Sequence, residues 1–504
     1  MSTNRSANVR KTSKTMNRDR GYTMGLLIPV ALMKAGVAGA SAIILSACTT
    51  TNIDGAVTDV NALVAERTKK TVSFRQDPAA RQEADYAVRQ LMKQRLSSDT
   101  ATQIAFLRNP AIQASLAKIG IAEADVAQAG RMRNPVVSIG RVTGGGVLEI
   151  ERQFLFSLLS LFTIGPRTAI AKDQAERARY MTALDIVGSA DGVRRAWIEA
   201  VTARERVRIM KQIYESAKAA ENLGMRMAAA GSMPALDQAK LKVAKADAAG
   251  QLGKFRVAAG MAREKLIREM GVWGKETKFK LPSRLPRLPG RANKLSNIER
   301  KALMKRLDIQ AGRKELEFLQ KNIGLTKFTG VVNLLEISGF ANTEKEREDG
   351  GEINRKTPSG FEVEFAIPIF DPGDAKVARA EYVYMQAVEE LKSAAINARS
   401  EVREAYTGYR GAFDLARHYQ RTIVPLNKRI TDEELLRYNG MLASVLDLLS
   451  ASRQQQAALM KALDARRDFW LAEAQLNFVM VAGSGKGLSM GVQMADAGGG
   501  DEEH

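Results

Sequence analysis

The sequence predicts a mainly α protein built as a tandem repeat, each half setting one β-hairpin between helices of unusual length. Three observations carry this. The segment Ile104-Ala-Phe-Leu-Arg-Asn-Pro-Ala-Ile-Gln-Ala114 returns as Ala302-Leu-Met-Lys-Arg-Leu-Asp-Ile-Gln-Ala311. Each copy then runs through a short helical stretch, a strand pair, a Pro-marked corner and a very long helical stretch. Each long stretch is broken once by Gly with Leu-Asp a few residues on: Gly231 before Leu236-Asp237, and Gly440 before Leu446-Asp447. Self-similarity on this scale sets the architecture before any local reading.

Residues 25–47 are apolar and end in Leu45-Ser46-Ala47-Cys48, the pattern of a bacterial lipoprotein signal. Cys48 is the only cysteine of the 504 residues and stands at the one position that pattern requires. We therefore expect residues 1–47 to be a signal peptide and Cys48 to be lipidated. Lys34 interrupts the apolar run. Residues 1–32 read as an upstream start-site extension, with Met16 and Met24 as other candidate starts. Thr49 follows the cysteine where, in enteric bacteria, Asp favours inner-membrane retention, so the resemblance to lipoprotein signals implies an outer-membrane address, with the lipid as the only attached group. No later apolar run is long enough for a transmembrane helix. A chain that crosses a membrane must then do so as strands of a closed barrel.

Residues 48–96 are polar and mixed and read as an extended arm, with helical turns from Arg81 to Gln94. The first repeat covers 97–290. Ser98 to Met132 is helical with a turn at Asn109-Pro110. Asn134-Pro135 opens a hairpin over 136–156, turning at Gly144-Gly145-Gly146. Its second strand alternates Leu148 and Ile150 with Glu149 and Glu151, the period-two mark of a half-exposed strand. Pro166 marks the corner into a long helix, 167–229, about 90 Å at 1.5 Å per residue. A return helix follows over 234–270.

The second repeat covers 291–482. Its hairpin spans 331–369, with a strand Val331–Phe340, a long polar loop Ala341–Gly360, and Phe361, Val363, Phe365 and Ile367 alternating against Glu362 and Glu364. Pro372 marks the corner into a long helix, 374–438, bent near Pro425. The return helix is 441–481, and 483–504 is a Gly-rich flexible tail. Apolar residues on one strand face and carboxylates on the other fit lipid outside and a wet lumen inside. Four strands cannot close a barrel, so a barrel demands an oligomer. Along the helices, Val193, Trp197 and Val201, then Ile209, Ile213, Ala217 and Ala220, recur three and four apart as coiled-coil packing seams.

Composition excludes several classes. The net charge is +20, and seven Lys/Arg and one Asp precede Cys48, leaving about +14 for the rest. Acids interleave with these cations along the helices, and aromatics are only 6%, which argues against nucleic acid. With His418 and His504 the only histidines and Cys48 the only cysteine, a His/Cys zinc site is not expected; a Ser-His-Asp triad would have to use His418, which lies in a helical stretch, and the sequence shows no nucleophile elbow. We expect no enzyme and no resident metal. The twenty methionines fit packing seams better than a metal path.

From Ser98 to Gly483 the chain resembles the TolC-type outer-membrane efflux family, in its lipoprotein branch. The residues that carry the resemblance are Asn134-Pro135 before the first strand, the run from Phe361 to Gly373 (FEVEFAIPIFDPG), and the run from Leu436 to Ala451 (LRYNGMLASVLDLLSA), in this order and duplicated. The resemblance implies a homotrimer whose three chains close a 12-stranded membrane barrel above an α-helical periplasmic tunnel. It implies an exit duct of a tripartite efflux or type I secretion system, meeting a periplasmic adaptor and an inner-membrane pump. It also implies that the helical reversals at Gly231 and Gly440 form a periplasmic mouth. There Asp447 matches the first of two acidic gate positions, Ser450 occupies the second, and Tyr438 and Asp237 match positions that pair the two tips. The Arg that follows the tip Gly in some members is replaced by Met441-Leu442-Ala443, and Arg437 is the nearest substitute. The loop Ala341–Gly360 would face outside the cell. The competing reading is a lipid-anchored periplasmic coiled-coil scaffold or adaptor that never spans. The cargo, whether drug, metal or protein, is not written in the sequence.

Overall fold

The computed structural model describes residues 53–144, 147–332, 334–347 and 353–483. The signal segment, Cys48 and the tail beyond Gly483 lie outside the described residues, as do Gly145 and Gly146 of the first hairpin turn.

The arm is more ordered than its composition foretells. Helix α1 (Ile53–Thr68) buries Ala56, Val60 and Val64, spaced one turn apart. They pack with Ile112, Leu116, Ala183 and Ile186 of the helices beneath. Helix α2 (Pro78–Leu91) starts where Asp77 caps it, its side chain accepting from the Ala80 N–H at 2.7 Å, with Pro78 at the first helical position. Extended chain was expected here from the scarcity of apolar residues. Three small side chains on one face suffice because a preformed surface receives them.

Helices α3 (Ser98–Arg108) and α4 (Pro110–Ala129) meet at Asn109, whose side chain caps α4 through the Ala111 N–H at 2.8 Å. The sheet follows. Strand β1 (Val136–Gly144) pairs antiparallel with β2 (Val147–Ser157). From the second repeat come β3 (Leu335–Ala341), β4 (Thr343–Arg347), β5 (Ile353–Lys356) and β6 (Ser359–Phe365). The other edge of β2 pairs with β3 and with β4 in one unbroken register. Likewise β3 on β6 and β4 on β5 keep one register, bridged by Asn342 N–H donating to the Pro358 carbonyl at 2.9 Å. The six segments are therefore four long strands, two of them notched at Asn342 and at Pro358.

Two expectations for this hairpin need correction. Val331 ends helix α8 (Leu307–Val331) rather than starting a strand. The stretch Ala341–Gly360 is largely strand, not loop; only its tip, 348–352, lies outside the described residues. Its Lys, Glu and Arg residues show no apolar period, so the alternation that betrays a strand is missing even though the ladder continues.

Helix α5 (Leu158–Ala229) begins directly after β2 and runs for 72 residues, about 108 Å. Pro166 is thus inside the helix and is not the strand-to-helix corner. It forfeits the bond to the carbonyl of Phe162, four residues earlier. Pro372 does lie between β6 and helix α9 (Asp374–His418). Beside it Gly373 adopts φ +80°, and a Cβ there would come within 2.7 Å of the Gly330 Cα. Gly373→Ala should destabilise this junction by about 1–2 kcal/mol through the left-handed backbone, with the clash on Gly330 adding to it. Local hydrogen exchange at the end of α8 reads the effect.

After α9 a π-turn (Tyr419–Ile423) leads into α10 (Val424–Asn439), with Pro425 in its first turn. The wider turn absorbs the proline that would otherwise strike the preceding turn. The return helices are α6 (Ala235–Met270) and α11 (Val445–Val479), and α7 (Ile298–Lys305) precedes α8. The repeat is visible in the joints. Gly271 (φ +68°) closes on Asn109 between α3 and α4, and Gly483 (φ +79°) closes on Arg306 and Asp308 between α7 and α8. The largest core lies midway along α5, where Val193, Trp197 and Val201 meet Leu96, Leu266 and Leu281. Trp197 is fixed by its Nε1–H donating to the Leu96 carbonyl at 2.8 Å. Among the described residues no helix is long and apolar enough to cross a membrane.

Candidate functional site

Two regions can carry function: the sheet, and the two helical reversals at the other end of the long helices.

Register assigns the sheet two unlike faces, because residues directly opposite in an antiparallel ladder project to the same side. Val137 lies opposite Phe154, Phe154 opposite Gly339, and Gly339 opposite Phe361. Ile139, Ile337, Val363 and Phe365 share that side. Its apolar groups are bare: Ile139 is 76% and Phe361 79% exposed. A water-soluble sheet would cover them. Toward the hairpin ends the same face turns basic, with Arg141, Arg152 and Lys345. Arg152 donates to the Ala341 carbonyl at 3.3 Å and to Thr343 Oγ1 at 3.2 Å.

The opposite face carries Glu149, Glu151, Glu336, Glu344, Glu346, Glu362 and Glu364. Two pairs stand directly across from each other, Glu336 from Glu364 and Glu149 from Glu344. Like charges in that position repel, so this side belongs to water and counterions. Ser338 is buried on this face, and the Phe340 ring covers Gly360 there, as on the concave side of a curled sheet.

At the first reversal Gly231 takes φ +72° and the Ser232 N–H bonds back to the Met227 carbonyl at 2.9 Å, a left-handed helix stop. Asp237, in the first turn of α6, pairs with Lys240 at 2.9 Å. Among the described residues no hydrogen bond joins Asp237 to Tyr438, which stands half-buried near the end of α10.

The second reversal differs from the first. Gly440 has φ −80°, and the left-handed residue is Met441, φ +60°. The glycine falls one position before the site that needs it, and Leu442 N–H donates to the Arg437 carbonyl at 2.8 Å to close the turn. Met441 and Leu442 are left almost bare at the extremity. Asp447 is a capping-box residue. Its N–H donates to Ser444 Oγ at 3.2 Å, and its Oδ2 accepts from the Ser444 N–H at 2.9 Å and hydroxyl at 2.7 Å. The Ser444 hydroxyl, then its N–H, hold the Asp447 carboxyl below the usual carboxylate range. This cap is therefore present at neutral pH and lost as pH falls through that lowered value. Ser450 is exposed on α11 one turn further on, and Arg437 pairs with Glu434 at 3.4 Å. The spacing Ser444-x-x-Asp447 was the signal that could have revealed the cap. Among the described residues no cluster of His, Cys, Asp and Glu could hold a metal ion.

Residues 299–480 match the family model of outer membrane efflux proteins. No curated protein matches the chain by sequence. Among solved structures, CusC superposes with a TM-score of 0.64 at 16% identity, over 77% of this chain and 92% of its own. A membrane protein from Pseudomonas aeruginosa gives 0.61 at 17% identity, over 82% and 97%. The open-state outer membrane channel MtrE of Neisseria gonorrhoeae gives 0.62 at 15% identity, over 78% and 89%. Over residues 299–480 the similarity is to the outer membrane efflux protein family, and the described chain has the fold of these solved outer membrane channels.

Proposed function

We propose that the protein is the outer-membrane exit duct of a tripartite efflux or type I secretion system. A homotrimer places twelve strands in the membrane and carries small molecules or metal ions passively, driven by an inner-membrane pump through a periplasmic adaptor. The carrying observation is the sheet: four strands with a bare apolar face and a face of glutamates. One copy cannot close such a sheet, and three copies make a small barrel. A scaffold that stayed in the periplasm would leave the apolar face unexplained. Ion conductance of the purified protein in planar bilayers tests the reading; a protein that inserts without conducting refutes it.

In this reading Cys48 bears the lipid that anchors the chain to the outer membrane, and mass spectrometry of the mature N-terminus checks it. The reversals at Gly231 and Gly440 form the periplasmic mouth, with Asp447, Ser450, Tyr438 and Asp237 around it. The capping box makes the role of Asp447 separable. Asp447→Asn keeps an oxygen for the Ser444 donors and removes the charge, whereas Asp447→Ala removes both. If Asp447 gates cations, both variants raise closed-state conductance. If it only caps α11, Asp447→Ala alone changes the mouth. Single-channel recording of the pair decides between the two.

A further inference from the structure

We propose that the linker between the two halves docks on the carboxylate-bearing glycan–peptide mesh of the cell wall. The inference rests on the duct reading, which puts this part of the chain in the periplasm. Between Thr277 and Asn297 the sequence has six cations, Lys278, Lys280, Arg284, Arg287, Arg291 and Lys294, and no Asp or Glu. Elsewhere cations and acids interleave along the helices; here they do not.

The structure turns all six cations outward. Phe279, Leu281 and Leu285 are buried among residues of α5 and α6, and Leu288, Ala292 and Leu295 pack on the aromatic core around Tyr409 and Phe469. The Trp470 Nε1–H donates to the Pro286 carbonyl at 3.3 Å, and the Asn293 N–H donates to the Tyr409 hydroxyl at 3.1 Å. Pro282, Pro286 and Pro289 keep the strip extended. The six basic side chains are exposed, and none forms an ion pair among the described residues. A linker on the axis of a threefold tunnel would obstruct it, so the proposal sets the strip on the tunnel's outer surface.

Beneath Arg284 lies a recess of about 350 Å³ that Arg208 and Arg466 also line, with Glu205 its one carboxylate. Glu205 is already shared. It forms an ion pair with Arg466 at 2.9 Å, and accepts from Arg208 at 3.4 Å and from the Leu285 N–H at 3.1 Å. The Nε atoms of Arg208 and Arg466 are buried without a hydrogen-bond partner. Two guanidiniums share this carboxylate and that of Arg284 lines the same recess, which leaves donors that a second carboxylate would satisfy. Just ahead of the strip Trp273 is 79% exposed, a flat face on which a sugar ring can stack.

Position selects the partner. Glu205, against which the strip is pinned, lies roughly 70 Å along α5 from Leu158. A bilayer with its headgroups is about 40–45 Å thick, so lipid phosphates cannot reach the strip. The polyanion available at that depth is one bearing carboxylates on a glycan.

The test is co-sedimentation of the full-length detergent-extracted protein with isolated cell-wall sacculi. We expect binding that falls with added salt. It should weaken about tenfold in the combined variant Arg284→Gln, Arg287→Gln, Arg291→Gln, Lys294→Gln, and likewise on sacculi whose carboxylates have been amidated. Absence of binding, or binding indifferent to these changes, overturns the proposal. Bilayer conductance is recorded on the same preparations. A protein that conducts but ignores sacculi refutes the docking alone, and one that does not conduct refutes the duct.

Discussion

Val363→Arg should keep the protein out of the outer membrane, while Glu362→Arg, one residue earlier on the same strand, should leave assembly intact. Val363 shares the apolar face with Ile337 directly opposite, and Glu362 points the other way, opposite Ser338. An arginine facing lipid costs about 2–4 kcal/mol at the bilayer midplane. In the proposed trimer three copies multiply that penalty, so the variant should be lost from the membrane fraction. On the glutamate side the same change meets water. It removes a carboxylate and adds a cation in each chain, so the reversal potential in a salt gradient should move toward anions. Glu362→Gln should shift it less in the same direction. If the two variants gave the same phenotype, the assignment of faces by register would be wrong.

Arg306→Met should be the most damaging single change in the helical body. Arg306 is 1% exposed between α7 and α8. Its Nη2 and Nε reach the two oxygens of Asp308 at 2.7 and 3.1 Å, and its Nη1 reaches Glu401 at 2.7 Å. Burial lowers the basicity of the guanidinium, but the bonds to Asp308 and Glu401 outweigh it and raise its pKa. Asp308 also accepts from the Ile309 N–H at 2.8 Å. Removing the arginine strands a buried carboxylate, which costs about 3–5 kcal/mol, whereas removing both partners is often nearly neutral. Arg306→Met should therefore lower the urea midpoint sharply, and Arg306→Met with Asp308→Asn should recover most of the loss. A single variant as stable as the parent would show that the pair contributes nothing to the joint.

The parts of this architecture that were legible are those where one physical requirement dominates a stretch of residues. Leu148 and Ile150 against Glu149 and Glu151, and Phe361 to Phe365 against Glu362 and Glu364, could be read as strands because one face must be apolar. Proline-free runs with small residues three and four apart gave the long helices. What escaped was decided by neighbours. Ala56, Val60 and Val64 form a helix face only because α4 and α5 receive them. Thr343 to Arg347 pair as a strand because β2 extends past them, though their side chains are nearly all charged. Pro166 looked like a corner by its local preference, yet the helix starts at Leu158 and runs through it. At the second tip the left-handed residue is Met441, one position after the Gly440 that breaks the helical pattern. Of the tip residues, Asp447 was noticed for its charge and is held by its hydrogen bonds.

The most direct test of the account is negative-stain imaging of the detergent-extracted full-length protein. The account predicts hollow tubes with threefold symmetry and one narrow membrane-bound end. A solid rod, monomeric or dimeric, would contradict it and leave the apolar face of the sheet to some other purpose.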